Sequence, residues 1–433
     1  MKKFVLVLAV AAVAIGGVAV WNQRRGAEKE AQPGVHYEVA PGFDFKVSVL
    51  AENLGQITRI RITPDGKTML VSTLAEYIHA FRKSAAGEFV RQEQPFFSLK
   101  TGLPGFPPEE SGLSGMVLGA DFESSGDIFL LYSASAGEEV LKNRITRIAF
   151  TRQPDGTLVG EHPVQIFEAN TDTQPSHQIQ GGVGLMIQGQ PHLMFLIGEA
   201  VDAKNARDPL REAGKVMLIQ RDGRLPAGPR PFPAFPKIQA IGLRNAFDLA
   251  QNPFDSAGRF ALADTGTDRF DRFIYGTFLP RPGAGIRPIL LGWDGTNDSL
   301  ANPLPDLNAD GQPDMVLGRW DPTETVNDLA FYPGGTGGIP VSNVQESFVL
   351  MSVWGKTGST DIAPGKKILL GTLSNLDSQP RLELRDFIRR SEAGRGKLGH
   401  PLGLAVDPLT KAVYFGDILE GTIYKVESIR AND

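Results

Sequence analysis

The chain has 433 residues, and its 49 glycines and 31 prolines exceed the usual combined share of about 12%. This excess favours many turns and argues against a helical bundle. Acidic and basic residues nearly balance, with a formal net charge of −5, so the chain lacks the positive charge of a nucleic-acid-binding protein. The absence of cysteine excludes disulfides, thiolate nucleophiles and cysteine-ligated zinc sites.

The N-terminal segment predicts export from the cytoplasm of a bacterial-type cell. Two lysines precede an uncharged apolar run over residues 4–21, and an arginine pair follows it. Its length lies between the apolar region of a signal peptide, about 7–15 residues, and a spanning helix of about 17–25. Residues 1–25 are therefore either a cleaved signal peptide or an inner-membrane anchor, and we expect a periplasmic protein, soluble or anchored. Residues 26–34 are charged and turn-prone, which is typical of a tether.

From residue 35 onward the chain repeats a strand–turn–strand pattern. Residues 57–63 alternate apolar and polar side chains, Pro64-Asp65-Gly66 predicts a turn, and residues 68–73 resume the strand. Six such phrases start near residues 57, 115, 182, 242, 328 and 402. Intervals of this length suit blades of about four strands each, and a blade must pack against neighbours to bury both faces of its sheet. We therefore predict an all-β, six-bladed β-propeller over residues 35–433, with two stacked β-sandwich domains as the alternative.

The longest interval contains a Pro/Gly-rich insertion, Leu279–Leu317, which we place between the fourth and fifth blades. Within it, oxygen-bearing side chains stand at positions 1, 3, 5 and 9 of a loop, with glycine at position 6. These side chains belong to Asp306, Asn308, Asp310 and Asp314. The spacing resembles that of calcium loops, although the glutamate at position 12 of an EF-hand is missing. We predict a structural Ca²⁺ ion here, and an Asp/Asn/Pro-rich surface turn is the alternative.

Short phrases at six places along the chain, taken together, carry a family resemblance. In order they are Gly112-Leu113-Ser114-Gly115 with Asp121-Phe122, Ile197-Gly198-Glu199 with Gly214-Lys215-Val216, Gly242-Leu243-Arg244-Asn245, Leu329-Ala330-Phe331-Tyr332, Gly365-Lys366-Lys367-Ile368, and Gly399-His400-Pro401. The set resembles the soluble aldose (glucose/sorbosone) dehydrogenases, which are six-bladed propellers that carry pyrroloquinoline quinone and calcium. The resemblance implies oxidation of a sugar substrate, with the quinone as hydride acceptor and an external electron acceptor.

The resemblance also implies roles for individual residues. Arg244 and Asn245 match the Arg-Asn pair that contacts the cofactor, and Arg244 is in addition a candidate catalytic residue. Lys367 matches a lysine that faces the cofactor. His400 stands where the family has an arginine and is a further candidate cofactor-binding residue. For Arg244 the alternative is a structural one, in which the guanidinium caps carbonyl groups near the central channel.

The candidate general base departs from the family pattern. The family's base is a histidine in an H-x-GG-x-L phrase, and Gln180 occupies that position here. The nearest histidine is His177, three residues earlier, which reaches the site only if the chain bulges. In addition, Phe247 replaces a polar glutamine of the family. We predict His177 as the base, and two alternatives stay open: an exported binding propeller without catalysis, and a calcium-dependent lactonase-type hydrolase.

Overall fold

The computed structural model describes residues 34–106, 112–135, 141–170, 176–228, 230–279, 288–301, 315–355, 365–376, 380–397 and 399–429. The predicted signal or anchor and nearly all of the predicted tether lie outside these ranges, so export stays a prediction. Within these ranges, no helix is both long enough and apolar enough to cross a bilayer.

The described strands form six sheets, which we number as blades in chain order, each given from its inner strand outward. Blade 1 contains β3 (Ile57–Ile62), β4 (Thr68–Thr73), β5 (Tyr77–Lys83) and β6 (Phe89–Arg91), with β7 (Phe97–Ser98) also on β5. Blade 2 contains β8 (Leu113–Leu118), β9 (Asp127–Ser135), β10 (Leu141–Arg152) and β11 (Leu158–Asn170). Blade 3 contains β12 (Ile179–Ile187), β13 (Gln190–Ile197), β14 (Lys215–Gln220), β15 (Ile238–Ile241) and β19 (Ile289–Leu290).

The other three blades follow the same plan. Blade 4 contains β16 (Ala246–Gln251), β17 (Phe260–Asp264), β18 (Asp271–Gly276) and β20 (Val316–Trp320). Blade 5 contains β21 (Val326–Tyr332), β22 (Glu346–Val353), β23 (Lys367–Ser374), β24 (Arg381–Arg390) and β1 (Tyr37–Val39). Blade 6 contains β25 (Pro401–Val406), β26 (Val413–Asp417), β27 (Thr422–Ser428) and β2 (Phe45–Ala51). The described helices are short: α1 (Leu99–Gly102), α2 (Phe122–Ser125), α3 (Ala203–Arg207), α4 (Asn297–Ala301) and a 3₁₀ turn (Glu392–Gly394).

The six blades close into a ring. Each inner strand contacts the inner strand of the next blade, and that of blade 6 contacts that of blade 1. Strand β2 is the outermost strand of blade 6, where Phe45 pairs with Ser428. The prediction of a six-bladed propeller is therefore confirmed, and the sandwich alternative is wrong. Closure by the N-terminal strand was not anticipated from the sequence.

The hydrophobic core lies between the blades. Six clusters of buried apolar side chains each combine residues of two neighbouring blades. In the cluster between blades 2 and 3, for example, Phe167 packs edge-on against Phe195 with ring centroids 5.0 Å apart. Strands such as β4, which is buried along its whole length, therefore have apolar neighbours on both faces. This explains why the ring is needed for stability.

The Pro/Gly-rich insertion corrects one detail of the prediction. It lies inside blade 4, between β18 and β20, and not between the fourth and fifth blades. After β18 the chain leaves blade 4, and β19 pairs in parallel with β15 of blade 3. The chain then returns to blade 4, where β20 pairs with β18 as the outer strand. The predicted calcium ligands Asp306, Asn308, Asp310 and Asp314 lie outside the described residues, so the ion stays a prediction.

Near its start, every inner strand has a register shift. The shifts fall between Ile57/Arg59, Leu113/Gly115, Ile179/Gly182, Ala246/Asp248, Val326/Asp328 and Leu402/Ala405. A bulge of this kind adds a residue to one strand and changes the direction in which neighbouring side chains point. Because the bulge occurs near the start of the inner strand in all six blades, it is a feature of the whole fold and not of one blade.

Four charged side chains from three of these strands meet inside the ring, and we call Arg59, Arg61, Asp248 and Asp328 the axial charge cluster. Arg59 donates from Nη2 to the Phe247 carbonyl of blade 4, opposite its own blade, at 2.7 Å. Its Nη1 lies 3.8 Å from Asp328, and Arg61 lies 4.0 Å from both carboxylates.

The two carboxyl groups of this cluster titrate differently. Burial, together with the negative charge of Asp328, holds the pKa of Asp248 well above its usual range. Burial acts upward on Asp328 too, but the guanidinium groups of Arg59 and Arg61 outweigh it and lower the pKa of Asp328. Asp328 is therefore the anion of the cluster, and Asp248 retains its proton. The glycine at position 181 makes room for this arrangement, since a Cβ atom there would collide with the Asp248 carboxyl.

Candidate active site

The predicted site residues gather on one face of the ring. His177 lies two residues before β12, Asn245 follows Arg244 directly before β16, and His400 directly precedes β25. All six inner strands run in the same direction along the channel axis. The residues that directly precede them therefore lie at the same end of the central channel. Glu199 connects two of these residues: its backbone N–H donates to the Arg244 carbonyl at 2.8 Å, and its carboxylate lies 3.3 Å from Nδ1 of His177.

A local distortion brings His177 to this face. The residue has a φ of 57°, in the left-handed region, and the register of β12 shifts between Ile179 and Gly182. Its carbonyl accepts from the Ala200 backbone at 3.2 Å, which fixes the turn. The strand thus has the bulge that the displaced histidine required, and the role of base stays a prediction.

A carboxylate and an indole complete the surroundings of the His177 ring. Nδ1 of His177 lies 3.3 Å from Oε1 of Glu199, and Oε2 of Glu199 accepts from the Trp293 indole N–H. Since Nδ1 donates its proton to Glu199, the lone pair of the neutral ring lies on Nε2. Burial lowers the pKa of His177 and Arg244 adds to this effect, while the hydrogen bond and charge of Glu199 oppose them. The site therefore holds a neutral, oriented imidazole, which is the form that accepts a proton.

Arg244 and Asn245 are positioned by a carboxylate at the end of the next strand. The Asp264 carboxylate accepts the backbone N–H groups of Arg244 at 3.1 Å and Asn245 at 2.8 Å. Asp264 also forms an ion pair with Arg272, and both side chains are fully buried. The pair is therefore held by a rigid buried network at the mouth of the channel.

The Arg244 side chain has both a structural contact and a free donor. Nη1 donates to the Thr265 carbonyl at 2.9 Å, as the carbonyl-capping alternative expected, and the guanidinium carbon lies 5.7 Å from the centre of the Trp293 ring. Nε of Arg244, Oδ1 of Asn245 and Oγ1 of Thr265 are buried and lack a partner among the described residues. Buried polar groups are normally paired, so these atoms fit a ligand that brings its own oxygen acceptors and a donor. A carboxylate of a quinone cofactor meets this requirement at Arg244, and an N–H group of the same cofactor meets it at Asn245 Oδ1.

Lys366 directly precedes β23 and Lys367 begins it, and the two side chains have different surroundings. Lys367 lies in ion pairs, with its Nζ 3.2 Å from Glu324 and 3.5 Å from Asp386, so two carboxylates already neutralise it. Its neighbour Lys366 is only 1% exposed, and its charge acts on the His400 ring. Of the two lysines, Lys366 is the one buried at the site, while contact of Lys367 with a cofactor stays a prediction.

His400 is held by one residue in two ways. Its ring stacks on the Trp354 indole, with centroids 4.2 Å apart and planes at 9°, and its Nδ1 donates to the Trp354 carbonyl at 2.7 Å. The side chain is fully buried, and its Nε2 has no partner among the described residues.

Sequence reasoning missed three residues of this site. Glu199 stands in one of the family phrases, but nothing in the phrase identified it as the partner of His177. Asp264 also lacked an assigned role; in the structure it ends β17. Trp293 comes from the insertion, where it packs with Ala206 and Leu300, and no sequence signal pointed to it.

A metal site is not among the described features of this face. Over the described ranges, no group of three or more His, Asp or Glu side chains is arranged to hold a metal ion. The predicted calcium loop is not part of those ranges.

Comparisons with known proteins agree with this fold. The sequence profile of the Glucose / Sorbosone dehydrogenase family matches residues 52–273, and no curated protein sequence matches the chain. The apo-form soluble aldose sugar dehydrogenase from Escherichia coli superposes with a TM-score of 0.61 at 19% identity, covering 89% of this chain and 99% of that one.

Two structures solved with their cofactor also share the fold. The PQQ-bound aldose sugar dehydrogenase from Streptomyces coelicolor has a TM-score of 0.57 at 19% identity, over 90% of this chain and 99% of its own. The holo form of the pyranose dehydrogenase PQQ domain from Coprinopsis cinerea has a TM-score of 0.57 at 14% identity, over 92% and 98% of the two chains. Since the family profile covers half of the sequence and the ring of six blades accounts for the rest, the chain belongs to the glucose/sorbosone dehydrogenase family.

Proposed function

We propose that the protein oxidises an aldose or a related sugar and passes the electrons through pyrroloquinoline quinone to an external acceptor. The observation that carries the proposal is the arrangement of His177, Glu199, Trp293 and Arg244 at one end of the channel. A neutral, oriented imidazole next to a buried guanidinium with a free donor suits the removal of a hydroxyl proton beside an anionic cofactor.

The residues of the chain have distinct roles in this proposal. Nε2 of His177 accepts the proton of the sugar hydroxyl, and Glu199 holds the ring in the tautomer that leaves this nitrogen free. Arg244 and Asn245 hold the quinone through their unpaired buried atoms. The bound quinone supplies the hydride acceptor. Trp293 fixes the second oxygen of Glu199, so the carboxylate cannot turn away from His177.

The decisive experiment compares two site variants with a matched control. Purified protein is loaded with pyrroloquinoline quinone and Ca²⁺, and dye reduction is measured with a panel of aldoses. His177→Ala should reduce turnover by about 10²–10⁴-fold and leave quinone affinity within a few-fold. Arg244→Ala should weaken quinone binding by about 10- to 150-fold, because it removes a charge-assisted hydrogen bond.

His192→Ala is the control for loss of a buried histidine. His192 is buried and donates from Nδ1 to the Gln190 carbonyl at 2.8 Å, but it lies near the start of β13, at the opposite end of the blade from His177. We expect turnover close to that of the wild type. Full turnover in His177→Ala would place the base elsewhere. A wild-type protein that does not bind the quinone in calorimetry would instead be an exported binding propeller.

Export from the cytoplasm completes the proposal. We place the protein in the periplasm, either free or attached to the inner membrane through residues 4–21, because of the charged and apolar pattern of that segment. An alkaline-phosphatase fusion at Gln32 should be active. An inactive fusion, together with an active cytoplasmic reporter at the same position, would contradict this location.

A further inference from the structure

Two blades use the same device to hold a side chain at the channel mouth. Asp264 of blade 4 pairs with Ala246, the first residue of its inner strand, and Asp417 of blade 6 pairs with Pro401 in the same register. Asp264 accepts the backbone N–H groups before its inner strand, and Asp417 accepts that of His400 at 3.0 Å.

Each of these aspartates also has a buried arginine partner. Arg272 pairs with Asp264, and Arg390 lies 3.2 Å from Asp417. The Tyr37 hydroxyl donates to Asp417 as well, at 2.7 Å. Asn245 and His400 are therefore held at equivalent positions of two blades by equivalent networks. Arg244, the residue before Asn245, lies at the same end of the channel as His400.

The two side chains present opposite chemistry. Arg244 offers a donor, because its Nε–H is buried and free of partners among the described residues. His400 offers an acceptor: its Nδ1 proton is engaged by the Trp354 carbonyl, so the lone pair of the neutral ring lies on Nε2. Stacking on the Trp354 indole fixes the plane of the ring, and the hydrogen bond to the Trp354 carbonyl fixes which nitrogen faces that group.

The charge state of His400 keeps it an acceptor. Burial lowers the pKa of His400 to about 4, and the positive charges of Lys366 and Arg390 act in the same direction, against the hydrogen bond to Trp354. Near neutral pH the ring is therefore uncharged. A carboxylate placed at Nε2 would bring its lone pairs against the lone pair of the ring, whereas a hydroxyl or N–H group would be bonded.

We propose that His400 is a specificity-determining hydrogen-bond acceptor, which bonds a hydroxyl or N–H group of the bound ligand and disfavours a carboxylate at that position. The inference rests on the proposed function, because it takes this face as the binding site of the sugar and the quinone. The donor comes either from a sugar hydroxyl or from the pyrrole N–H of the quinone. In the first case the substrates are neutral sugars and not sugar acids.

The first test reads the ring directly and needs no catalysis. The chain has six histidines, so ¹⁵N-histidine labelling gives few signals, and His400→Gln identifies the signal of this ring by its loss. We expect the Nδ1–H tautomer without ligand, with a free Nε2. Addition of glucose alone, or of pyrroloquinoline quinone alone, should shift the Nε2 signal in the direction of an accepted hydrogen bond, and the ligand that shifts it is the source of the donor.

Outcomes of this titration that overturn the proposal are clear. The proposal is wrong if the ring is the Nε2–H tautomer, or if Nε2 is already hydrogen-bonded before any addition. It is also wrong if neither ligand shifts the signal, because His400 then accepts no hydrogen bond from the ligand. A response to glucose in a protein that does not reduce dye would support the acceptor role and contradict the proposed oxidation, so the two failures are distinguishable.

The second test compares substitutions at the same position. His400→Leu should weaken binding of the responding ligand by about 3- to 10-fold, the usual effect of one lost neutral hydrogen bond, and His400→Gln should stay within about 3-fold because its side-chain oxygen accepts. If glucose is the responding ligand, His400→Arg should reduce the preference for a neutral sugar over its uronic acid by about 10-fold or more. His192→Gln is the control, with no expected change. Equal affinities of the responding ligand in the wild type and His400→Leu would overturn the proposal, as would an unchanged sugar preference in His400→Arg where glucose is that ligand.

Discussion

Replacing Asp328 by asparagine removes the anion from the axial charge cluster. The carboxylate faces Arg59 at 3.8 Å and Arg61 at 4.0 Å, and the Asp328 and Arg59 side chains are at most 2% exposed. Loss of one partner of a buried ion pair typically costs about 3–5 kcal/mol, because the other charge stays buried without compensation.

A second carboxyl group in the cluster, that of Asp248, reduces this cost. Burial raises the pKa of Asp248 and the negative charge of Asp328 raises it further, while its carboxyl lies 4.0 Å from Arg61. When Asp328 is neutral, Asp248 can ionise in its place. We therefore expect Asp328→Asn to lower the free energy of unfolding by about 2–3 kcal/mol, less than an isolated pair would. Asp248→Asn should cost about 1 kcal/mol or less, because the carboxyl is already neutral.

The double variant tests this reasoning. With both carboxyls replaced, no anion remains in the cluster, and the loss should reach about 4–5 kcal/mol, more than the sum of the single variants. Denaturant unfolding followed by tryptophan fluorescence measures all three. Lys46→Gln, in an exposed ion pair with Glu427, is the control and should change stability by less than about 0.5 kcal/mol. Additive losses, or a loss in Asp328→Asn no larger than in the control, would refute the idea that Asp248 takes over the charge.

Three further predictions concern the site and the insertion. Glu199→Gln should reduce kcat by about 10- to 100-fold. Because Glu199 raises the pKa of His177, the acidic limb of the kcat/KM profile should move to lower pH in this variant, and a shift to higher pH would contradict the assignment. Lys366→Met should weaken quinone binding by about 10-fold or more in a fluorescence titration, and Lys367→Met by less than about 3-fold; the reverse order would favour Lys367. Chelator should lower the melting temperature of the wild type and leave Asp310→Ala unaffected, since an ion bound only by the native state stabilises it; equal responses would make the loop a simple turn.

The architecture could be predicted because its signals are local. Alternation of apolar and polar residues, followed by turn residues, identifies inner strands such as residues 57–62 wherever they occur. The pairing of β2 with β27 depends on two segments at opposite ends of the ring, and no local pattern connects them. The place of the insertion was wrong for a similar reason, since a sequence interval does not say which sheet receives the strand that follows.

The site was predictable only as far as short phrases allow. Arg244, Asn245 and His400 lie at the mouth of the channel because each directly precedes an inner strand. The displacement of His177 needed a left-handed residue and a bulge, which the sequence pattern does not specify. A one-residue difference separates Lys366 from Lys367, and adjacent residues near a strand point to opposite faces, so the phrase alone could not tell which lysine is buried. Trp293 reaches the site by tertiary packing of the insertion.

The strand that closes the ring also sets the order in which the protein can mature. Strand β2 is synthesised before any complete blade, yet its partner β27 is the last strand of the described chain. Until residues 422–428 leave the ribosome, β2 has no partner strand and two of the six interblade cores have an open side. Contacts between such distant segments form slowly, because a long loop must close first. The edge of β2 therefore stays unpaired until synthesis is nearly complete, and the seven-residue strand β27 closes the ring.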